Sequence, residues 1–331
     1  MLRCGLRIAA CAAVLWAGSA FAADPTELCI YQDDQGKIVQ VNSRSRVPAS
    51  QRDKARCFSQ KESTYLAKPE EIELKGTVRK EEMVSALGPI EVRWPRKVET
   101  LFGRTPQRAV AEAANAVSRA LKSNGFPPSL QTLKIDWKIV FMDEDVPEKQ
   151  IPSYLVNNCH PAWMTPPANL YVVAQRAAAG CGGQKVRSSE ADARLTQILI
   201  HEMGHAIEYQ LLKDKFGDDR MRAEGFASWF EQFGSDYTSA IPKGSVHEFY
   251  LKAAQASLRQ SPNVFSFSGS LEDYARASLF FEAIQSRRGV RGIVEVYSTM
   301  VSDSLPFPAA VQKRLGWDAG RMQSEVARVA Q

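Results

Sequence analysis

The sequence predicts an α+β protein: a small β-sheet lobe, then a helical C-terminal lobe, with a short β-rich module ahead of both. Three observations carry this. Apolar and polar residues alternate at Ile90-Glu91-Val92-Arg93-Trp94, and β-branched and aromatic residues crowd Ile135 to Phe141 and Asn169 to Ala174, all before residue 175. Helical spacing runs from Ala191 to Lys213 and recurs near Phe226, Lys252, Phe280, Val294 and Val311. The composition, 44% hydrophobic and 24% charged over 331 residues, is that of a soluble globular chain long enough for about two lobes. It excludes fibrous and wholly disordered classes. A formal net charge of +5 is too small to argue for nucleic acid, and no nucleic-acid partner is expected.

The elements follow in chain order. Residues 1–22 read as a signal peptide: Arg3 and Arg7, an apolar run from Ile8 to Gly18, then Ala20-Phe21-Ala22 at a cleavage site. The run is shorter than the ~20 residues a spanning helix needs, and no later stretch is long enough. The expected address is secreted, and periplasmic if the source is Gram-negative. Cys4 and Cys11 leave with the signal, and Cys29, Cys57, Cys159 and Cys181 remain. Four cysteines allow three pairings. In an oxidising compartment the local pairs Cys29–Cys57 and Cys159–Cys181 are the simplest, and the lack of a Cys-x-x-Cys pair argues against a thiolate zinc site.

Residues 24–60 read as a small disulfide-stapled β module. Cys29 to Gln32 is one strand, Asp33-Asp34-Gln35-Gly36 a turn, and Lys37 to Val41 a second strand. Its pattern resembles small β-rich modules that precede other domains in proteobacterial envelope proteins. The polar residues 61–87 read as a linker. The main domain is expected over 88–331. In it, Thr105-Pro106 caps a helix from Gln107 to Lys122 that stops at Gly125 and Pro127.

The chain has four histidines, and two lie in His201-Glu202-Met203-Gly204-His205. This is the H-E-x-x-H arrangement. On a helix, positions four apart share a face, so both imidazoles can reach one cation while Glu202 touches a water in the open fourth position. A third ligand separates the classes. Glu208 and Leu211 stand where a metzincin needs glycine and histidine, which excludes that class. Glu224 lies 19 residues after His205, far enough for a turn near Gly217-Asp218 and a second, antiparallel helix. Gly225 and Ala227 are small enough to let the two helices approach. Glu231 lies two turns on, placed to accept the second N–H of a histidine. The remaining histidines read as quieter: His160 as a loop residue, with a cleft role if a Cys159–Cys181 bridge frames the entrance, and His247 as a surface or partly buried residue. Arg287, Arg288 and Arg291 read as a solvated helix connection, and Trp229-Phe230 and Phe280-Phe281 as core.

His201 to His205 followed by Glu224-Gly225-Phe226-Ala227-Ser228 resembles the gluzincin zinc metallopeptidases, closest to the peptidase-MA-like group distantly related to the M1 aminopeptidases. The resemblance covers roughly residues 88–300. It implies a thermolysin-like fold, one Zn2+ held by His201, His205 and Glu224, and Glu202 as general base. Asp273-Tyr274-Ala275-Arg276 resembles the segment whose tyrosine supports the oxyanion, which implies that role for Tyr274. The Gly-x-Met-x-Asn element of the aminopeptidases is absent, and Ala223 replaces the usual asparagine, so exopeptidase activity does not carry over. The expectation is a zinc-dependent endopeptidase whose peptide or protein substrate lies extended along an edge strand, for which Leu170 to Ala174 is the candidate. The alternative is a non-catalytic envelope binding or scaffold protein with a structural metal site, against which the intact Glu202 argues.

Overall fold

The computed structural model describes residues 27–32, 38–41, 44, 47–59, 68–143, 160–180, 186–216, 219–260, 263–265, 267 and 269–331. The expected signal segment, the expected turns at 33–36 and at Gly217-Asp218, and Cys159 and Cys181 lie outside the described residues.

The first strands are β1 (Glu27–Gln32), β2 (Ile38–Val41) and β3 (Arg56–Ser59), in an antiparallel sheet ordered β2-β1-β3. β3 was not expected from the sequence pattern, and it sets Cys57 directly opposite Cys29 in register.

The main unit is α+β. It opens with β4 (Val78–Ser85) and β5 (Gly88–Pro95), an antiparallel pair. Val78–Ser85 was expected to be linker. It is a strand because Met83 and Val84 sit among residues whose backbone pairs fully with β5, although its charged surface hides the period. Ile72, in the same supposed linker, is buried. In β5 the alternation holds: Ile90, Val92 and Trp94 are buried while Glu91 and Arg93 are not.

Helix α1 (Pro106–Ser123) follows, its Thr105 cap accepting from the Arg108 N–H. Its buried face is almost all alanine and valine, which lets it lie close beneath the sheet. Next come β6 (Trp137–Met142), β7 (Ala162–Thr165) and β8 (Asn169–Val173), completing a mixed five-stranded sheet ordered β4-β5-β6-β8-β7. β6 pairs in parallel with β5 and β8, and β7 runs antiparallel to β8. The central strands are buried on both faces, as parallel strands are. Ile139, Phe141, Leu170 and Val172 enter the main core, while Val140, Met142, Tyr171 and Val173 meet Ile72 and Trp163 on the other side.

The order of strands corrects one expectation. Leu170 to Ala174 is not an edge: β8 lies between β6 and β7, and Ala174 opens a short helix, α2 (Ala174–Ala179). Among the described strands the edge on that side is β7, whose four residues were too few to stand out as alternation.

Helices make up the rest: α3 (Ser188–Leu212), α4 (Arg220–Ser235), α5 (Ser245–Gln260), α6 (Leu271–Asp303), α7 (Phe307–Leu315) and α8 (Ala319–Val329). The two helical patterns near Phe280 and Val294 are two helices within α6 that meet at a kink at Gly289, where the backbone leaves the helical region (φ 66). No helix among the described residues is long and apolar enough to cross a membrane. Trp229, Phe230, Phe280 and Phe281 are buried in the core, as expected.

α3 and α4 run antiparallel, since Gln197, His205 and Glu208 of α3 meet Glu231, Glu224 and Arg222 of α4 in turn. Gly204 lies against Ala227 at this contact, where an added Cβ would stand 3.2 Å from the Ala227 Cα. Gly225 has a different role from the one expected. It faces α6, not α3, and a Cβ there would stand 2.8 Å from the Ala277 carbonyl oxygen and 2.9 Å from its carbon. Backbone cannot retreat as a side chain can. Gly225→Ala is therefore expected to cost about 1–3 kcal/mol by overpacking, seen as a lowered melting temperature.

Candidate metal centre

Helix α3 carries His201, Glu202 and His205, and its apolar positions Leu195, Leu199, Met203, Ala206 and Ile207 are fully buried. That burial anchors one face of the helix in the core and fixes the direction of the two imidazoles. Helix α4 starts where Asp219 accepts from the Arg222 N–H, 3.0 Å away, and brings Glu224 up one turn later. His201 Nε2 lies 3.4 Å and His205 Nε2 3.6 Å from the same carboxylate oxygen, Glu224 Oε2. The ligand atoms of all three residues lie within 4.8 Å of one another. Their side chains keep 12–17% exposure, so the cluster opens to solvent on one side.

The donor set fits a divalent ion. His201 Nδ1 is 2.8 Å from Glu231 Oε2, and a carboxylate there requires Nδ1 to carry the proton. Nε2 then presents a lone pair toward the Glu224 oxygen, itself a lone-pair donor. Two such atoms at 3.4 Å are at ease only with a cation or proton between them. Two imidazoles and a carboxylate this close are groups that could hold a divalent ion together.

A proton can take that place. Burial works to raise the Glu224 carboxyl, but hydrogen bonds from His201 and His205 and the charge of Arg220 outweigh it and hold it well below the ordinary range. Burial works to lower His201, yet Glu224 and Glu231 hold it well above its ordinary value. The centre therefore attracts positive charge. Glu202 is the reverse case: burial raises its carboxyl, against the pull of His205 and His201. Glu202 is buried and its Oε2 has no hydrogen-bond partner among the described residues. A buried carboxylate oxygen left open beside two metal-type ligands is placed to hold a water or a proton.

Glu231 takes the expected place beside His201, and two residues unmarked in the sequence analysis hold it there. Gln197 Nε2 donates to its Oε1, and the Tyr250 hydroxyl donates to its Oε2 over 2.8 Å. Gln197 stands four residues before His201, on the same helical face, which was a usable signal. Tyr250 comes from α5 and left none. Partners of this kind fix the tautomer and orientation of a ligand histidine, and their loss typically costs 10–100-fold in metal affinity. Glu231→Ala is expected to weaken zinc binding by about that factor, measured by competition with a chromophoric chelator.

Tyr274, on the first turn of α6, also reaches the site. Its hydroxyl accepts from Arg220 Nη2 at 2.8 Å, and Arg220 Nε lies 3.7 Å from Glu224 Oε1. Burial and the neighbouring Glu224 raise the Tyr274 phenol above its usual value, while Arg220 opposes them. The structure thus gathers His201, Glu202, His205, Glu224, Glu231 and Tyr274 in one place, with Arg220 as an addition. His160 belongs to the surroundings as well. It precedes β7, and burial, with Arg220 next, pushes its imidazole down to about 4. His247 lies away from this cluster on the exposed side of α5 and meets Gln232 at 3.0 Å. Arg287 and Arg291 pair with Glu325 and Glu295 at the surface.

Behind the ligands lies a buried ion pair. Arg222 Nη1 donates to Glu208 Oε1 at 2.8 Å, and the Tyr297 hydroxyl donates to the same oxygen. Both charged residues are at most 1% exposed. The trio joins α3, α4 and α6 one turn from His205 and half a turn from Glu224.

No protein-family model matches the chain, and no curated protein matches its sequence.

Proposed function

We propose that the protein is a zinc-dependent endopeptidase of the gluzincin type, with a thermolysin-like arrangement of a sheet lobe, an active-site helix and a helical lobe. The observation that carries this is the convergence of His201, His205 and Glu224 within 4.8 Å, with the open carboxylate of Glu202 on the same helix. A zinc ion held there would supply Lewis acidity to water and to the scissile carbonyl. Glu202 takes the proton of the attacking water and delivers it to the leaving amine. Glu231, held by Gln197 and Tyr250, keeps His201 in the tautomer that offers Nε2. Tyr274 donates a hydrogen bond to the carbonyl oxygen as negative charge develops there, and keeps its proton.

The substrate lies extended along β7. Ala162–Thr165 is the outermost described strand on that side and packs beside α3, so a strand added there would run past the ligands. Arg3, Arg7 and the apolar run behind them support secretion, into the periplasm if the source is Gram-negative. The register of Cys29 with Cys57 supports a cross-strand disulfide in the N-terminal sheet.

The direct test is digestion of a broad peptide library by the zinc-loaded protein, with and without chelator. Internal cleavage that chelator abolishes and zinc restores is the expected result. Bound zinc with no chelator-sensitive cleavage would mark the centre as structural instead.

A further inference from the structure

A tyrosine hydroxyl has one proton to give and lone pairs that accept. Arg220 Nη2 donates to the Tyr274 oxygen over 2.8 Å, and a guanidinium accepts nothing in return. The phenol proton must point elsewhere. Glu224 borders the same guanidinium, its Oε1 3.7 Å from Arg220 Nε, so the phenol and the carboxylate lie side by side on one arginine. The direction of that proton is thus set by the arginine behind it.

Both partners are held. Phe267 stacks on the Tyr274 ring, centroids 5.8 Å apart and planes within 5°, and the Arg220 guanidinium carbon lies 5.9 Å from the ring centroid. Gly269 closes over the arginine. Its φ of +89° suits glycine, and a Cβ there would stand 3.3 Å from Arg220 Nη1 and 3.5 Å from Cζ. Asp273 accepts from the Gly269 N–H at 3.1 Å and pairs with Arg276, which donates to Ser257 of α5. Gly269 therefore stands directly against the guanidinium.

We propose that Arg220 is a positioning residue of the reaction: by occupying the Tyr274 oxygen from behind, it presents the single phenol proton to the His201–His205–Glu224 side, where the carbonyl oxygen gains charge. The inference rests on the peptidase reading above. It differs from a charge-balancing role for Arg220 because it runs entirely through Tyr274.

The test uses the full chain with Arg220→Met, Arg220→Lys, Tyr274→Phe and the Arg220→Met/Tyr274→Phe double variant. At saturating zinc, Tyr274→Phe is expected to lower kcat on library-selected peptides by about 100-fold, the scale of one lost oxyanion donor. Arg220→Met should lower kcat at least tenfold with KM within about threefold. The double variant should match Tyr274→Phe within about twofold, and Lys, which still donates, should recover most of the loss. A second readout needs no activity. In metal-free protein labelled with ring-13C tyrosine, the Tyr274 resonance, assigned by its loss in Tyr274→Phe, should move in Arg220→Met and stay near its wild-type position in Arg220→Lys. Losses that multiply in the double variant, or wild-type kcat in Arg220→Met, overturn the proposal. An unmoved Tyr274 resonance overturns it too. A wild type that neither binds zinc nor cleaves defeats the peptidase reading, while the resonance still decides whether Arg220 holds the phenol.

Discussion

Glu202→Gln is expected to lower peptide turnover by about 10²–10⁴-fold while zinc stoichiometry and fold stay as in the wild type. Glu202 is no ligand in this geometry: the three ligand atoms belong to its helix neighbours and to Glu224. What it contributes is an open carboxylate oxygen in a buried setting. Glutamine keeps the shape and the packing against α3's surroundings but cannot accept and return a proton. A second consequence concerns stability. The buried carboxylate is disfavoured in its charged form, since burial raises it. A neutral amide removes that cost, so the metal-free variant should melt at the same temperature as the wild type or higher. Turnover, metal content and melting temperature on one preparation decide the matter. Wild-type turnover in the variant would remove Glu202 from the mechanism.

Glu208→Ala is expected to be the most destabilising single change near the site. Glu208 and Arg222 are a buried pair with almost no solvent access, and Tyr297 donates to the same carboxylate oxygen. Removing one partner strands a guanidinium in the core, at a typical cost of 3–5 kcal/mol. In a domain of this size that lowers the melting temperature by on the order of 10 °C. Arg222→Ala should do the same from the other side. Replacing both with apolar residues of similar size, Glu208→Leu with Arg222→Met, should recover most of the loss, because no charge is then left unpaired. The recovered protein should still bind zinc, as neither residue reaches the ligands. If either single variant melts within 2 °C of the wild type, the pair does not hold α3, α4 and α6 together.

The legibility of this molecule followed the range of each signal. His201, Glu202 and His205 were readable because their relation is local: a helix of known pitch places positions four apart on one face. Glu224 and Glu231 were readable one step further, since a second amphipathic helix followed within a short connection. The helix at Thr105-Pro106 was fixed by its cap and its first-turn proline. What escaped depended on pairing at long range. β4 looked like a polar linker, since its strand character comes from its pairing with β5 and not from its own pattern. β8 looked like an edge, and only the sheet order shows β7 outside it. Gly225 was correctly seen as a contact residue, but which helix it meets was decided by α6, distant in the chain. Tyr250 had no local mark, and Arg220 had only its place four residues before Glu224. Their roles come from the atoms they touch across helices.

Metal content of the purified full chain tests the central claim most directly. The account predicts one zinc per chain in the wild type and in Glu202→Gln, and a strong loss in His205→Ala and Glu224→Ala, with all four proteins folded. A folded wild type that takes up no zinc, or a Glu224→Ala variant that holds zinc as tightly as the wild type, would contradict it.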